Sequence, residues 1–189
     1  MSVLEWGSTL FTLLYLYFAV KNKPVCFVFG ILASSIWAYV SFHAGLYFDA
    51  GLQLFYVIIS FLGIYRWMYG GNNNEELPIS SLSNRSHSLI IAGGVFLSAC
   101  LYFLFKSLPN IQMAALDSIT TIFLVIGTIL LINRNLYSWI YLVVADVVYI
   151  YIYGNSGLWL FAGSMVVYVI FGLVGFKEWQ KSQINAPAM

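Results

Sequence analysis

The chain has 189 residues, of which 61% are hydrophobic and only 8% are charged, and its formal net charge is +1. Soluble domains average about 45–50% apolar and 25% charged residues, and a core of this size cannot bury such an excess. The composition therefore predicts an integral membrane protein and does not suggest a nucleic-acid partner. Cys26 and Cys100 lie inside apolar runs without metal-ligand spacing, so we expect two small buried hydrophobic side chains and no metal site.

Seven apolar runs follow one another along the chain, each close to the roughly 20 residues that a membrane-spanning helix requires. They cover residues 4–20, 25–43, 50–68, 88–106, 114–132, 137–153 and 158–176. The runs are too long for barrel strands, so the sequence predicts an all-α integral membrane protein with seven transmembrane helices. The first run has no basic stretch before it and no small-residue cleavage site, which favours a retained helix over a signal peptide. The polar segment Gly70–Ser86 is predicted to be a loop and Gln183–Met189 a loose tail.

Lysine and arginine lie almost entirely on one side of the predicted membrane. The loops after spans one, three and five and the C-terminal segment carry seven of the eight, namely Lys21, Lys23, Arg66, Arg85, Arg134, Lys177 and Lys181. The other side carries only Lys106. Because cytoplasmic loops of membrane proteins are rich in lysine and arginine, we predict a multi-pass protein of the inner (cytoplasmic) membrane with its N-terminus outside and its C-terminus in the cytoplasm.

The chain repeats itself at a fixed distance of 112 residues. Gly45–Gly51 aligns with Gly157–Gly163, and nine of the 23 positions from 45 to 67 are identical one period later. The repeated unit is spans one to three, which return as spans five to seven. Span four carries the chain back across the membrane, so the repeats are predicted to be parallel, in a 3+1+3 plan similar to that of the SWEET sugar-efflux proteins. The predicted segments are a first triple-helix repeat (1–69), a polar loop and linker span (70–112), a second triple-helix repeat (113–182) and a tail (183–189).

Asp146 lies near the centre of span six, where inserting an aspartate costs about 2.5–3.5 kcal/mol. Helical spacing places Trp139 and Tyr149 on the same face. Three interpretations are open: a structural carboxylate hydrogen-bonded to a tyrosine, a contact for a cationic substrate, and a proton relay. Aromatic rings around one carboxylate would bind a planar, partly cationic solute through stacking and cation–π attraction.

Other polar and aromatic residues inside the spans are also candidates for substrate contact. The full candidate set is Trp37, Gln53, Tyr56, Ser60, Asp117, Ser118, Thr121, Trp139, Asp146, Tyr149 and Tyr168. Interhelical hydrogen bonding is an equally good interpretation of Gln53, Tyr56 and Ser60. Asp117 has a structural alternative as well, because a carboxylate is favourable in the first turn of a helix.

Glycine and tryptophan recur at matching positions near the basic ends of spans three and seven. Gly63 and Gly175 are expected to allow close contact between helices. Trp67 and Trp179 are expected to anchor the helices at the membrane interface.

The sequence lacks the motifs of common enzyme and nucleotide sites. It has no phosphate-binding glycine loop, no HExxH, no CxxC and no nucleophile elbow. His43 and His87 fall in predicted loops, where we expect them to be solvated. We therefore predict that the protein is not an enzyme and uses no cofactor.

Several motifs resemble the Pnu family of vitamin transporters over nearly the whole chain. They are Glu5 with the small polar turn that follows, Gly45-Leu46-Tyr47, Leu52-Gln53, Gly63-Ile64-Tyr65-Arg66-Trp67, Leu116-Asp117-Ser118, Trp139 and Asp146-Val147. The resemblance implies facilitated uptake of a vitamin across the cytoplasmic membrane, with trapping by phosphorylation inside the cell. The implied partners are the small-molecule vitamin and the lipid bilayer, and no sequence feature defines an oligomeric state.

Within this family the chain resembles the thiamine branch (PnuT) more than the nicotinamide riboside branch (PnuC). The latter carries Asn-Trp-x-x-Trp followed by an asparagine in span six, where this chain has Ser138, Leu142 and Asp146. Ser60 also stands where that branch has asparagine. The leading hypothesis is a thiamine transporter, because an aspartate suits the cationic thiazolium ring. The alternatives are a nicotinamide riboside transporter of the same fold and, more remotely, a non-transporting membrane receptor or scaffold.

Overall fold

The computed structural model describes residues 3–43, 47–106 and 113–185, and seven α-helices without any β-strand lie in these ranges. They are α1 (Val3–Val20), α2 (Cys26–His43), α3 (Tyr47–Tyr69), α4 (Asn84–Phe105), α5 (Ala114–Ile132), α6 (Ser138–Asn155) and α7 (Trp159–Ile184). Helices α2 to α7 are long and apolar enough to cross a membrane, and α1 contains a shorter apolar stretch, Trp6–Val20. The predicted all-helical fold with seven helices is confirmed.

Two helices differ from the prediction by four residues or more at one end. Helix α4 begins four residues earlier than predicted, because Ser83 has an extended backbone and its Oγ accepts a hydrogen bond from the Ser86 N–H at 3.2 Å. Helix α7 continues past residue 176 to Ile184 and carries an ion pair between Glu178 and Lys181 at 3.3 Å. Its polar last turns need no membrane, so hydropathy alone did not predict them.

Some predicted features lie outside the described residues. They are Gly45 and Leu46 of the repeated motif, residues 107–112 of the linker segment and residues 186–189 of the predicted tail.

The described residues fall into two compact units. The first comprises the residues up to Pro78 together with Ile132–Arg134, and the second comprises Ile79–Leu131 and the residues from Asn135 onward. In the first unit α2 packs against both α1 and α3, and in the second unit α6 packs against α7. The α3–α4 loop contains a short 3-10 turn at Asn72–Asn74.

Large aromatic side chains and one glycine form a close contact between α2 and α3 in the first unit. The ring of Phe27 on α2 meets the ring of Trp67 on α3 edge-on, with centroids 4.9 Å apart. A Cβ at Gly63 would lie 2.5 Å from the Phe27 ring, so only glycine allows this approach. Nearby, Ser8 Oγ donates to the carbonyl oxygen of Ala33 at 3.1 Å and joins α1 to α2.

The second unit builds the same contact one repeat period later. Trp139 on α6 meets Trp179 on α7 edge-on, with ring centroids 5.5 Å apart, and a Cβ at Gly175 would lie 2.6 Å from the Trp139 ring. The prediction that Gly63 and Gly175 allow close helix contact is confirmed. The prediction that Trp67 and Trp179 anchor at the membrane interface is wrong, because both side chains are fully buried between helices.

Within the second unit, helix α4 packs against its neighbours through a histidine and a glycine. His87 is half-buried in the helix, contrary to the predicted solvated loop, and its Nδ1 lies 3.0 Å from the hydroxyl of Tyr141. A Cβ at Gly94 would lie 2.9 Å from the ring of Phe123 on α5. Most large apolar side chains of α4 are exposed, which suits a lipid-facing helix. Cys100 is among the exposed residues, so the prediction that it is buried is wrong.

Candidate functional site

The predicted substrate-binding residues are divided between the two units. The first unit contains Trp37, Gln53, Tyr56 and Ser60, and the second contains Asp117, Ser118, Thr121, Trp139, Asp146, Tyr149 and Tyr168. The first set lies on α2 and α3, and the second set lies on α5, α6 and α7. Each unit therefore offers its own group of polar and aromatic side chains.

The candidates of the first unit centre on Ser60. Ser60 is buried on α3 and its Oγ donates to the carbonyl oxygen of Tyr56 at 2.7 Å, so only the oxygen lone pairs remain available. A Cβ at Gly30 on α2 would lie 3.3 Å from Ser60 Oγ and 3.2 Å from the ring of Tyr15 on α1. Side chains of α1 and α3 thus both approach α2 at Gly30. The side chains of Trp37, Gln53 and Tyr56 are half-buried.

Tyr15 on α1, which was not among the predicted site residues, lies near Gly30 as Ser60 does. Helix α1 carries several aromatic residues, and their spacing alone does not show which one points toward α2 and α3. The matching position of the second repeat is Gly127, so the repeat did not mark the site as aromatic either.

Asp146 on α6 is a buried acidic residue of the second unit. It is 8% exposed, and it has no hydrogen bond or ion pair within the part of the chain that the structure describes. The structural interpretation required a hydrogen bond to a neighbouring tyrosine, and none is present among the described residues. A buried carboxylate is costly without a partner, so this position favours a partner that arrives from outside the chain.

The face of α6 around Asp146 changes from aliphatic to aromatic along the helix. Leu142, one turn before Asp146, packs against α5, where a Cβ at Gly127 would lie 2.8 Å from its side chain. Tyr149, one turn after it, stacks nearly parallel on Tyr153 with ring centroids 5.2 Å apart. The carboxylate is thus followed by a pair of stacked rings on the same face, which suits a flat cationic group.

Trp139 lies in the contact between α6 and α7. Its ring packs against Trp179 and Gly175, at the position that Phe27 occupies in the first unit. Its Nε1 and the neighbouring Ser138 Oγ are fully buried and have no hydrogen-bond partner among the described residues. The ring is therefore committed to helix packing, while the indole N–H remains unused.

The candidates on α5 begin in its first turn. Asp117 is half-buried there, which fits its structural alternative as a favourable charge near a helix N-terminus. Ser118 is fully buried and donates to the carbonyl oxygen of Ala114 at 2.6 Å, so its hydrogen is used within the helix. Thr121 on α5 and Tyr168 on α7 are half-buried. Among the described residues, no group of three or more His, Cys, Asp or Glu could hold a metal ion.

Comparisons with known proteins agree on one family. The family model described as "Nicotinamide mononucleotide transporter" matches residues 2–181. The chain is 27% identical over 186 residues to the nicotinamide riboside transporter PnuC of Neisseria mucosa, and the match covers 89% of this chain and 68% of that protein. It is also similar to a solved structure described as the crystal structure of the vitamin B3 transporter PnuC. The TM-score is 0.77 at 22% identity, over 96% of this chain and 82% of the other.

The structural similarity, at this level of identity, supports the fold and not the substrate. The family match extends over all seven helices and includes every candidate residue of both units. The chain therefore belongs to the nicotinamide mononucleotide transporter family.

Proposed function

We propose that the protein mediates facilitated uptake of nicotinamide riboside across the cytoplasmic membrane, with trapping by phosphorylation inside the cell. The observation that carries the proposal is the match of residues 2–181 to the nicotinamide mononucleotide transporter family. The carboxylate of Asp146, which is buried and has no partner among the described residues, supports a cationic substrate. Nicotinamide riboside has a flat pyridinium ring with a fixed positive charge, which a carboxylate complements. The stacked rings of Tyr149 and Tyr153 supply an aromatic surface of matching shape.

Thiamine is the second candidate, because its thiazolium ring is likewise flat and carries a fixed positive charge. Asp146 favours thiamine, because the nicotinamide riboside branch of the family, as described under the sequence resemblance, has asparagine at this position. The relatives named above are described as nicotinamide riboside and vitamin B3 transporters, which favours nicotinamide riboside. The similarity to these relatives carries more weight than the aspartate, because it extends over 89–96% of this chain and not over one residue.

The repeat and the charge distribution support a parallel arrangement of residues 1–69 and 113–182, with the N-terminus outside and the C-terminus in the cytoplasm. Within the second unit, Asp146 and Tyr149 on α6 are proposed to contact the vitamin. Within the first unit, Gln53, Tyr56 and Ser60 on α3 are separate candidates for substrate contact.

A competition titration decides between the two vitamins. Purified protein is loaded with radiolabelled nicotinamide riboside, which is then displaced by unlabelled nicotinamide riboside, thiamine or riboflavin. We expect nicotinamide riboside to compete at a concentration about tenfold below that of thiamine, and riboflavin not to compete. Stronger competition by thiamine would assign the protein to the thiamine branch. If neither vitamin binds, both assignments are wrong.

A liposome experiment tests the transport step. Purified protein in liposomes is expected to equilibrate the vitamin across the membrane at a rate that an imposed pH gradient does not change. A rate that follows the pH gradient would contradict facilitated diffusion and favour the proton-relay interpretation of Asp146. Binding without any uptake would favour a receptor or scaffold.

A further inference from the structure

A buried arginine in the turn between α5 and α6 belongs to the first unit. Arg134 donates from Nε to Asn22 Oδ1 at 2.8 Å and from Nη2 to the Asn22 carbonyl oxygen at 3.2 Å. Its Nη1 also donates to the carbonyl oxygen of Leu77, and both Nη atoms donate to Glu76 Oε2 at 3.3–3.4 Å. The guanidinium carbon lies 5.0 Å from the centroid of the Trp67 ring. We call these five residues the Arg134 cluster.

The cluster holds three segments of the first unit that are distant in sequence. They are the turn after α1, the end of α3 and the loop that follows α3. An arginine can do this because its planar fork offers five N–H donors in fixed directions, whereas a lysine offers one compact charge. The Arg134 side chain is 4% exposed and that of Glu76 is 71% exposed, so the cluster meets water at Glu76. Burial lowers the pKa of the Arg134 guanidinium, and Glu76 opposes this shift.

A basic residue that only sets membrane orientation does not need such an environment. Lys21 and Lys23, on the same predicted side of the membrane, are exposed. Each of the three side-chain nitrogens of Arg134 instead donates a hydrogen bond. In the sequence Arg134 is one of seven basic residues on the same predicted side, and nothing in the local sequence marks it as buried.

Cys26, the first residue of α2, lies beside the cluster and is fully buried, as predicted. Its backbone N–H donates to the carbonyl oxygen of Lys23 at 3.0 Å, in the same turn that carries Asn22 of the cluster. The next residue, Phe27, packs against Trp67 of the cluster. A separation of Arg134 from Glu76 and its other partners would therefore open a path for water toward this thiol.

We propose that the Arg134 cluster is a seal at the cytoplasmic end of the first unit, closed in this structure and open in another state of the transport cycle. The proposal rests on the proposed transport function, because a cycle between states is what opens and closes the seal. Water reaches Cys26 only when the guanidinium leaves its partners.

Cys26 reports on the seal once the exposed Cys100 is replaced by alanine. Alkylation of Cys26 by a water-soluble maleimide is followed in inverted membrane vesicles of the Cys100→Ala protein, with and without nicotinamide riboside. We expect slow alkylation whose rate the vitamin changes, and a rise of about tenfold in Arg134→Gln. Arg134→Lys should show an alkylation rate between those of the parent and Arg134→Gln, because lysine keeps the positive charge but lacks the planar guanidinium group. The matched control Lys177→Gln, an exposed cation on the same predicted side, should leave the rate unchanged.

Vitamin binding separates this proposal from the transport function. Arg134→Gln is expected to bind the vitamin within about twofold of the parent affinity while its uptake slows. If the parent protein binds no vitamin, the transport function is wrong, and the alkylation rates of the parent and the variant still test the seal. If Arg134→Gln does not fold, the Glu76→Gln variant tests the seal in its place. We expect its Cys26 alkylation rate to rise by about threefold, because this substitution removes only the exposed partner of Arg134. An unchanged alkylation rate in the folded variant overturns the proposal.

Discussion

Arg134 donates a hydrogen bond of 2.8 Å to the side chain of Asn22, and the two residues lie 112 positions apart, which is the period of the repeat. Both have a left-handed backbone, with φ of 58° at Asn22 and 52° at Arg134. Asparagine tolerates this conformation, whereas a bulky side chain adopts it rarely. The same turn thus follows the first helix of each repeat, but the second copy carries a charged side chain that seals the first unit.

Replacing Asp146 by alanine should weaken vitamin binding by at least about tenfold, or about 1.4 kcal/mol. The substitution removes the carboxylate that complements the cationic ring. Isothermal titration of purified protein measures the effect. The control is Glu178→Gln, which removes a carboxylate that pairs with Lys181 near the end of α7, and it should bind like the parent. Equal affinities for both variants would exclude Asp146 from the site.

Gly175→Ala should lower the free energy of unfolding by about 1–3 kcal/mol, because the new Cβ would lie 2.6 Å from the Trp139 ring. Thermal unfolding in detergent, followed by tryptophan fluorescence, measures the change. Gly163→Ala is the matched control on the same helix, since no atom lies within 4 Å of its added Cβ. The control should be neutral or slightly stabilising, because alanine is the better helix former. A control as unstable as Gly175→Ala would refute the close-contact argument.

The first unit should respond in the same way one period earlier. Gly63→Ala places a Cβ 2.5 Å from the Phe27 ring, whereas Gly51→Ala meets no atom within 4 Å. We expect Gly63→Ala to be destabilised by about 1–3 kcal/mol relative to Gly51→Ala. Adding Phe27→Leu should recover part of this loss, because the smaller side chain leaves room for the new methyl group. No recovery in the double variant would mean that a different clash causes the loss.

Tyr141→Phe should cost about 0.5–1.5 kcal/mol, because it removes the hydroxyl that lies 3.0 Å from His87 Nδ1. Tyr137→Phe is the control, since Tyr137 meets His87 through its ring, with centroids 4.6 Å apart, and phenylalanine keeps that ring. Chemical unfolding of each variant, with and without His87→Ala, gives the coupling energy. Coupling as large for Tyr137 as for Tyr141 would argue against the hydrogen bond.

Residues at helix ends show where sequence patterns cannot decide. Trp67 and Trp179 have the position and chemistry of interface anchors, yet each is packed edge-on against an aromatic ring of the neighbouring helix. The polar sequence around His87 predicts a loop. In the structure, the N-cap residue Ser83 starts α4 earlier, so the helix includes His87. In both cases the local pattern fits two environments, and only the partner on another helix distinguishes them.

The sequence by itself determined the membrane class, the seven helices, the repeat and the places where glycine lets helices touch. These features depend on hydropathy and side-chain size, which can be read along the chain residue by residue. Only the tertiary structure decided that Arg134 is buried, that Tyr15 and Ser60 both lie close to Gly30, and that Asp146 has no partner among the described residues. Those properties depend on which distant segments meet a side chain, and no spacing along the chain encodes that.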